Sequence, residues 1–151
     1  MEKKANNEDK IMWKVMIVDD EKLICKLVQA LVEWDKLGMQ MAAQAENAIQ
    51  ALDMLQQYRP DILITDIRMP GMDGLELIKN AKKICPELEI IIISGYAHFE
   101  YARNALSLGV GNYLLKPIKQ DELNETLRKI GERLDAKKSA QGMEMAERRV
   151  S

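Results

Sequence analysis

The chain has 151 residues, 47% apolar and 30% charged, with four prolines, eight glycines and a formal net charge of −2. That length suits one domain, which can bury roughly 70% of the surface its unfolded form exposes and so needs no disulfide or metal staple. The composition excludes disorder and fibrous repeats, and the near-neutral charge leaves no basic field for nucleic acid or an anionic membrane.

Residues 1–11 are polar, lack the apolar stretch of a secretion signal, and read as a flexible segment before a domain over 12–136. The first strand is predicted at Val15 to Val18. A helix follows, with Leu23, Leu27, Ala30, Leu31 and Trp34 at i, i+3, i+4 spacing, expected to be its buried stripe. A second strand runs from Met39 to Ala43. The next helix starts at Asn47, a good N-cap, and should bury Ala48, Ala51, Leu52 and Leu55. The strand Ile62 to Thr65 is β-branched and nearly continuous in apolar character, as strands covered on both faces are. Asp73, with Glu76 three residues on, suggests a capping box for a helix that buries Leu75 and Ile78. The fourth strand is Ile90 to Ile93, a fourth helix is expected around 99–108, and the fifth strand is Tyr113 to Leu115. The last helix carries Leu123, Leu127, Ile130 and Leu134 at helical spacing, and residues 137–151 read as a frayed polar tail or the start of a linker.

Strict alternation of strands and helices implies an α/β fold. The expectation is a single domain with a doubly wound parallel sheet, flavodoxin-like (βα)5, in strand order 2-1-3-4-5. Cys25 and Cys85 have no metal-ligand or C-x-x-C spacing and read as reduced thiols. No apolar run approaches the length of a membrane span, and the expected location is the cytoplasm.

In such a sheet, chemistry gathers at the carboxyl ends of the strands. Those ends carry Asp19-Asp20-Glu21, Asp66, Ser94-Gly95 and Lys116-Pro117. With strands one and three adjacent, about 5 Å apart, Asp19, Asp20 and Asp66 share one acidic pocket. Two like charges about 4 Å apart repel by about 4 kcal/mol at an effective dielectric of about 20. Lys116 offsets part of that, and Mg²⁺, which accepts one or two carboxylates plus phosphate oxygens, offsets more. A carboxylate in such a site can itself be the nucleophile, giving an aspartyl-phosphate. Taken singly, an Asp or Ser that ends a strand is more often a cap or turn residue, and a Lys is usually a solvated charge. Four strand ends with complementary chemistry are poorly explained that way.

Val18-Asp19-Asp20-Glu21, DILITDIRMPGMDG around Asp66, IIISGY ending at Tyr96 and YLLKP ending at Pro117, in this order and spacing, resemble the receiver domain of two-component response regulators. The resemblance covers about residues 12–136. It implies that Asp66 takes a phosphoryl group from the phosphohistidine of a sensor histidine kinase. Asp20, Asp66 and the backbone carbonyl of Arg68 would bind Mg²⁺ directly, and Asp19 through a water. Ser94 and Lys116 would hold phosphoryl oxygens, and the Lys116-Pro117 bond would be cis. Tyr113 would turn inward when Ser94 moves. That would reshape a face of the fourth predicted helix, the fifth strand and the last helix, suited to homodimerisation or to an effector domain. Arg68 and Tyr96 fall at variable positions and are bulky enough to obstruct water, which implies slow phosphate loss.

ALVEWDKLGMQ, together with SGYAHFEYARNALSLGVGNYLLKP, further resembles receivers that precede an AraC-type helix-turn-helix domain. On that reading the parent is a transcriptional regulator that meets DNA only through an effector domain beyond these residues; the alternative is a stand-alone regulator. His98 reads as a surface residue. A flavin-phosphate binder would be repelled by Asp19-Asp20-Glu21. An aspartate-nucleophile phosphatase needs a D-x-D pair, and Ile67-Arg68 follow Asp66. A degenerate receiver is disfavoured by the complete set of site residues. The expectation is a signalling phosphoacceptor and not an enzyme.

Overall fold

The computed structural model of the chain describes residues 12–69, 71, 74–95 and 110–150, with side chains through residue 142. Five parallel strands form one sheet in the order β2-β1-β3-β4-β5, as expected. They are β1 (Trp13–Val18), β2 (Met39–Ala45), β3 (Ile62–Asp66), β4 (Glu89–Ser94) and β5 (Asn112–Leu115). Each is one to two residues longer than its apolar run, because backbone pairing continues past the residues that fill the core. The described helices are α1 (Lys22–Leu31), the single turn α2 (Trp34–Leu37), α3 (Ala48–Tyr58), α4 (Gly74–Ile84) and α5 (Gln120–Val150). The predicted cap Asp73, Tyr96, His98 and the predicted helix over 99–108 lie outside the described residues.

Side chains alternate between the sheet's two faces with period two. Met16, Val18, Leu63, Ile90 and Ile92 pack with α3 and α4, through Ala48, Ala51, Leu55, Leu77, Ile78 and Ala81. Val15, Ile17, Ile62, Ile64, Ile91 and Ile93 pack with α1 and α5, through Cys25, Val28, Leu123, Leu127, Ile130 and Leu134. Both faces of the central strands are therefore dry, which explains their unbroken β-branched composition. Asn47 caps α3, its side chain accepting the Gln50 amide at 2.8 Å. Leu75, expected to be buried, is half-buried, and Leu77 takes the interior position beside Ile78.

The expected face of α1 is corrected. Leu23 is 77% exposed and Leu27 41% exposed, whereas Cys25 and Val28 are fully buried. Ile24, Cys25, Val28 and Leu31 also follow helical spacing, so α1 carries two apolar stripes about one residue apart. A free thiol packs as a small apolar group, and leaving Cys25 out of the apolar pattern concealed the stripe that the sheet selects. Trp34 does not continue α1 but opens α2, which closes at Gly38 with φ of 67°. Buried Asn124 of α5 ties this corner together. Its amide donates to the Leu31 carbonyl at 2.9 Å, and its oxygen accepts the Glu33 N–H at 2.8 Å. The tail expected to fray from residue 137 continues α5 as helix to Val150. Among the described residues, no helix is long and apolar enough to cross a membrane.

Candidate functional site

The sheet register brings the predicted residues together. Val18 of β1 pairs with Thr65 of β3, so Asp19 and Asp66 are the next residues on two neighbouring strands. Asp66 pairs with Ile93, and Ser94 pairs with Leu115, one residue before Lys116. One carboxylate oxygen from each of Asp19, Asp20 and Asp66 lies within 4.8 Å of the other two. Asp19 and Asp66 are buried and Asp20 is exposed. The Lys116 ammonium sits 3.1 Å from Asp66 Oδ2 and 3.7 Å from Asp19 Oδ2.

Backbone donors support the carboxylates. Asp19 Oδ1 accepts the Glu21 N–H at 2.9 Å, and Asp66 Oδ1 accepts the Arg68 N–H at 3.2 Å. The loop after Asp66 is held close to α4: the Gly74 N–H donates to the Ile67 carbonyl at 2.7 Å. A Cβ at Gly74 would lie 2.6 Å from that carbonyl and 2.7 Å from the Asp66 carbonyl, so only glycine fits. The Lys116-Pro117 peptide is cis.

Electrostatics follow from this crowding. Burial pushes the Asp19 carboxyl up to about 6, and Asp66 and Asp20 push in the same direction; the Glu21 N–H and Lys116 only partly offset them. For Lys116, burial pulls the ammonium down, but the hydrogen bond to Asp66 and the charges of Asp66, Asp19 and Glu21 outweigh it, and the net shift is upward. The pocket is thus short of positive charge. Its donor set is all carboxylate oxygen, the chemistry that a hard divalent cation prefers. Burial also raises the Cys25 thiol to about 11, so this neighbour of the Asp19 carbonyl stays neutral and is no nucleophile.

Ser94 is fully buried. Its Oγ lies 2.9 Å from the Tyr113 hydroxyl and 3.3 Å from the Gly95 carbonyl. The Lys116 N–H donates to the Ser94 carbonyl at 2.8 Å, tying the two strand ends together. Tyr113 is half-buried with its hydroxyl already on Ser94. Three contributors escaped sequence reasoning: the Glu21 and Arg68 amides and the hydroxyl of Tyr113. Backbone donors have no side-chain signature, and an aromatic residue in a strand reads as a ring. A cleft of about 420 Å³ opens at the other end of the sheet around Trp13, Cys85 and Lys137, and none of the predicted site residues line it.

Residues 15–128 match the family model described as the response regulator receiver domain. The chain is 40% identical over 119 residues to the uncharacterized transcriptional regulatory protein YesN of Bacillus subtilis, covering 79% of this chain and 32% of that one. It is 32% identical over 135 residues to the transcriptional regulatory protein HptR of Staphylococcus aureus, covering 89% and 53%. The solved REC domain of AraT, a response regulator from Geobacillus stearothermophilus, shares the fold with a TM-score of 0.82 at 38% identity, covering 85% of this chain and 99% of that one. The chain spans about a third to a half of the length of these curated relatives.

Proposed function

The chain belongs to the response regulator receiver domain family, and on that premise we propose that Asp66 is its phosphoacceptor. The observation that carries this reading is the Lys116 ammonium shared between Asp66 and Asp19 at 3.1 and 3.7 Å, inside a pocket of three carboxylates. A nucleophilic carboxylate needs its charge balanced without being consumed, and Lys116 does this from the side of Oδ2. As an Asp66 oxygen forms its bond to phosphorus, the phosphorus–nitrogen bond of the donor phosphohistidine breaks and the imidazole leaves. Phosphoryl transfer depends chiefly on such positioning and charge neutralisation.

Asp20, Asp66 and the Arg68 backbone carbonyl are the proposed direct ligands of Mg²⁺, with Asp19 acting through a water. The ion would supply charge neutralisation for the phosphoryl oxygens. Lys116 and Ser94 then meet the phosphoryl oxygens from the β4 and β5 ends. The phosphoryl adds about −1.5 to −2 charge and three strong acceptors. Ser94 and Tyr113 form the switch, and the face around β5 and α5 is the output surface, open to a homodimer partner or an effector domain.

The same reading places the protein in the cytoplasm with a sensor histidine kinase as donor and no catalytic turnover of its own beyond slow phosphate loss. The relatives' names and greater lengths support a longer parent that regulates transcription; a stand-alone regulator is the alternative. The test is incubation with Mg²⁺ and acetyl phosphate, read by intact mass. A gain of one phosphoryl group that is lost in Asp66→Asn supports the assignment. No gain from acetyl phosphate or a phosphorylated kinase refutes it.

A further inference from the structure

Thr65 precedes Asp66 in β3 and is 1% exposed. It pairs with Val18 of β1 and Ile92 of β4, and it shares its face of the sheet with Leu63. Those three neighbours belong to the core beneath α3 and α4. A hydroxyl buried there is unfavourable unless it is hydrogen-bonded, whereas Val fills nearly the same volume without that cost. Thr65 Oγ1 donates to the Asp66 carbonyl at 2.9 Å, and a carbonyl can only accept, so the direction of the bond is fixed. The same carbonyl faces the start of α4, where a Cβ at Gly74 would lie 2.7 Å from it. The peptide after Asp66 is thus gripped from two sides.

We propose that the Thr65 hydroxyl is a positioning group for Asp66: by holding the Asp66–Ile67 peptide, it keeps the Arg68 N–H on one carboxylate oxygen and leaves the other to Lys116. The proposal rests on the phosphoacceptor reading of Asp66. The peptide that Thr65 holds leads to Ile67, whose carbonyl takes the Gly74 N–H at 2.7 Å. It then leads to Arg68, whose N–H donates to Asp66 Oδ1 at 3.2 Å, while the Lys116 ammonium meets Oδ2 at 3.1 Å. Rotation of the Asp66 peptide carries the Arg68 amide away from Oδ1. A carboxylate held at one oxygen can turn about its side-chain torsions, and attack on phosphorus depends on its orientation. Four consecutive residues therefore link a core hydroxyl to the aim of the nucleophile.

Packing and positioning predict opposite rank orders for two substitutions. Thr65→Val keeps the branched volume and loses the hydroxyl; Thr65→Ser keeps the hydroxyl and loses a buried methyl. If Thr65 only fills space, Val is the better replacement in both stability and rate. If its hydroxyl positions Asp66, Ser has the lower urea midpoint of the two but the faster phosphorylation. The experiment measures phosphorylation rates by intact mass over a range of acetyl phosphate concentrations with Mg²⁺. Backbone amide exchange of Arg68, read by NMR in EDTA, is compared in the same three proteins. The expected result is a limiting rate about threefold to tenfold lower in Thr65→Val, and an Arg68 amide that exchanges faster by a similar factor, in line with one hydrogen bond. The half-saturating donor concentration should be unchanged, and Thr65→Ser should stay close to the wild type in both readouts. An unchanged limiting rate in Thr65→Val, Ser as slow as Val, or slowing with no change at the Arg68 amide overturns the proposal while leaving Asp66 as phosphoacceptor. Absence of phosphoryl gain in the wild type overturns the phosphoacceptor reading and this proposal with it.

Discussion

Replacing Asp19 by Asn should stabilise the metal-free protein at neutral pH, although Asp19 belongs to the candidate site. Its carboxyl is raised from 3.8 to about 6 in the fold, chiefly by burial. The folded state therefore holds the proton more tightly than the unfolded state does. Below pH 3.8 both states are protonated and there is no cost. As pH rises, the cost grows, and it is complete above about 6. A shift of about two units corresponds to about 3 kcal/mol of lost stability at pH 7, and to about half that at pH 5. Asn keeps an oxygen for the Glu21 N–H but carries no charge to bury. Urea melts in EDTA should show Asp19→Asn more stable than wild type by up to about 3 kcal/mol at pH 7, with the gap roughly halved at pH 5. Added Mg²⁺ should stabilise the wild type more than the variant, because ligand binding to the folded state adds to stability. A variant that is neutral or less stable at pH 7, with no dependence on pH, refutes the argument that Asp19 is a strained buried carboxylate.

Other substitutions test the fold that holds the site. Val28→Ala should cost about 2 kcal/mol in urea melts, whereas Leu23→Ala should fall within about 0.5 kcal/mol of wild type, since only the first is buried. Gly74→Ala forces a Cβ against two carbonyls and should cost about 1–3 kcal/mol by urea melt. It should also slow phosphorylation by acetyl phosphate, because the displaced loop carries the Arg68 amide that holds Asp66. Asn124→Ala leaves the Glu33 amide without its side-chain partner and the Leu31 carbonyl with the Gln120 amide alone, and should cost about 1–2 kcal/mol by the same melt.

The sequence by itself determined the alternation of strands and helices, the sheet order once the architecture was recognised, and four strand ends carrying complementary chemistry. Those features are local: period-two and period-3.6 patterns and the residue after each apolar run can be read from the chain. Asp19, Asp20, Asp66, Ser94 and Lys116 could be named because strand ends of a doubly wound sheet converge whatever the side chains are, whereas Tyr113, inside β5, was named only through the resemblance. Only the tertiary structure decided which stripe of α1 faces inward, since the two stripes follow the same spacing and packing against β1 and α5 selects between them. It also decided that the Glu21 and Arg68 amides brace the carboxylates, and that the Tyr113 hydroxyl rests on Ser94. Those contacts join backbone and side-chain atoms across strands at distances of about 3 Å, a length scale that residue type and spacing do not encode.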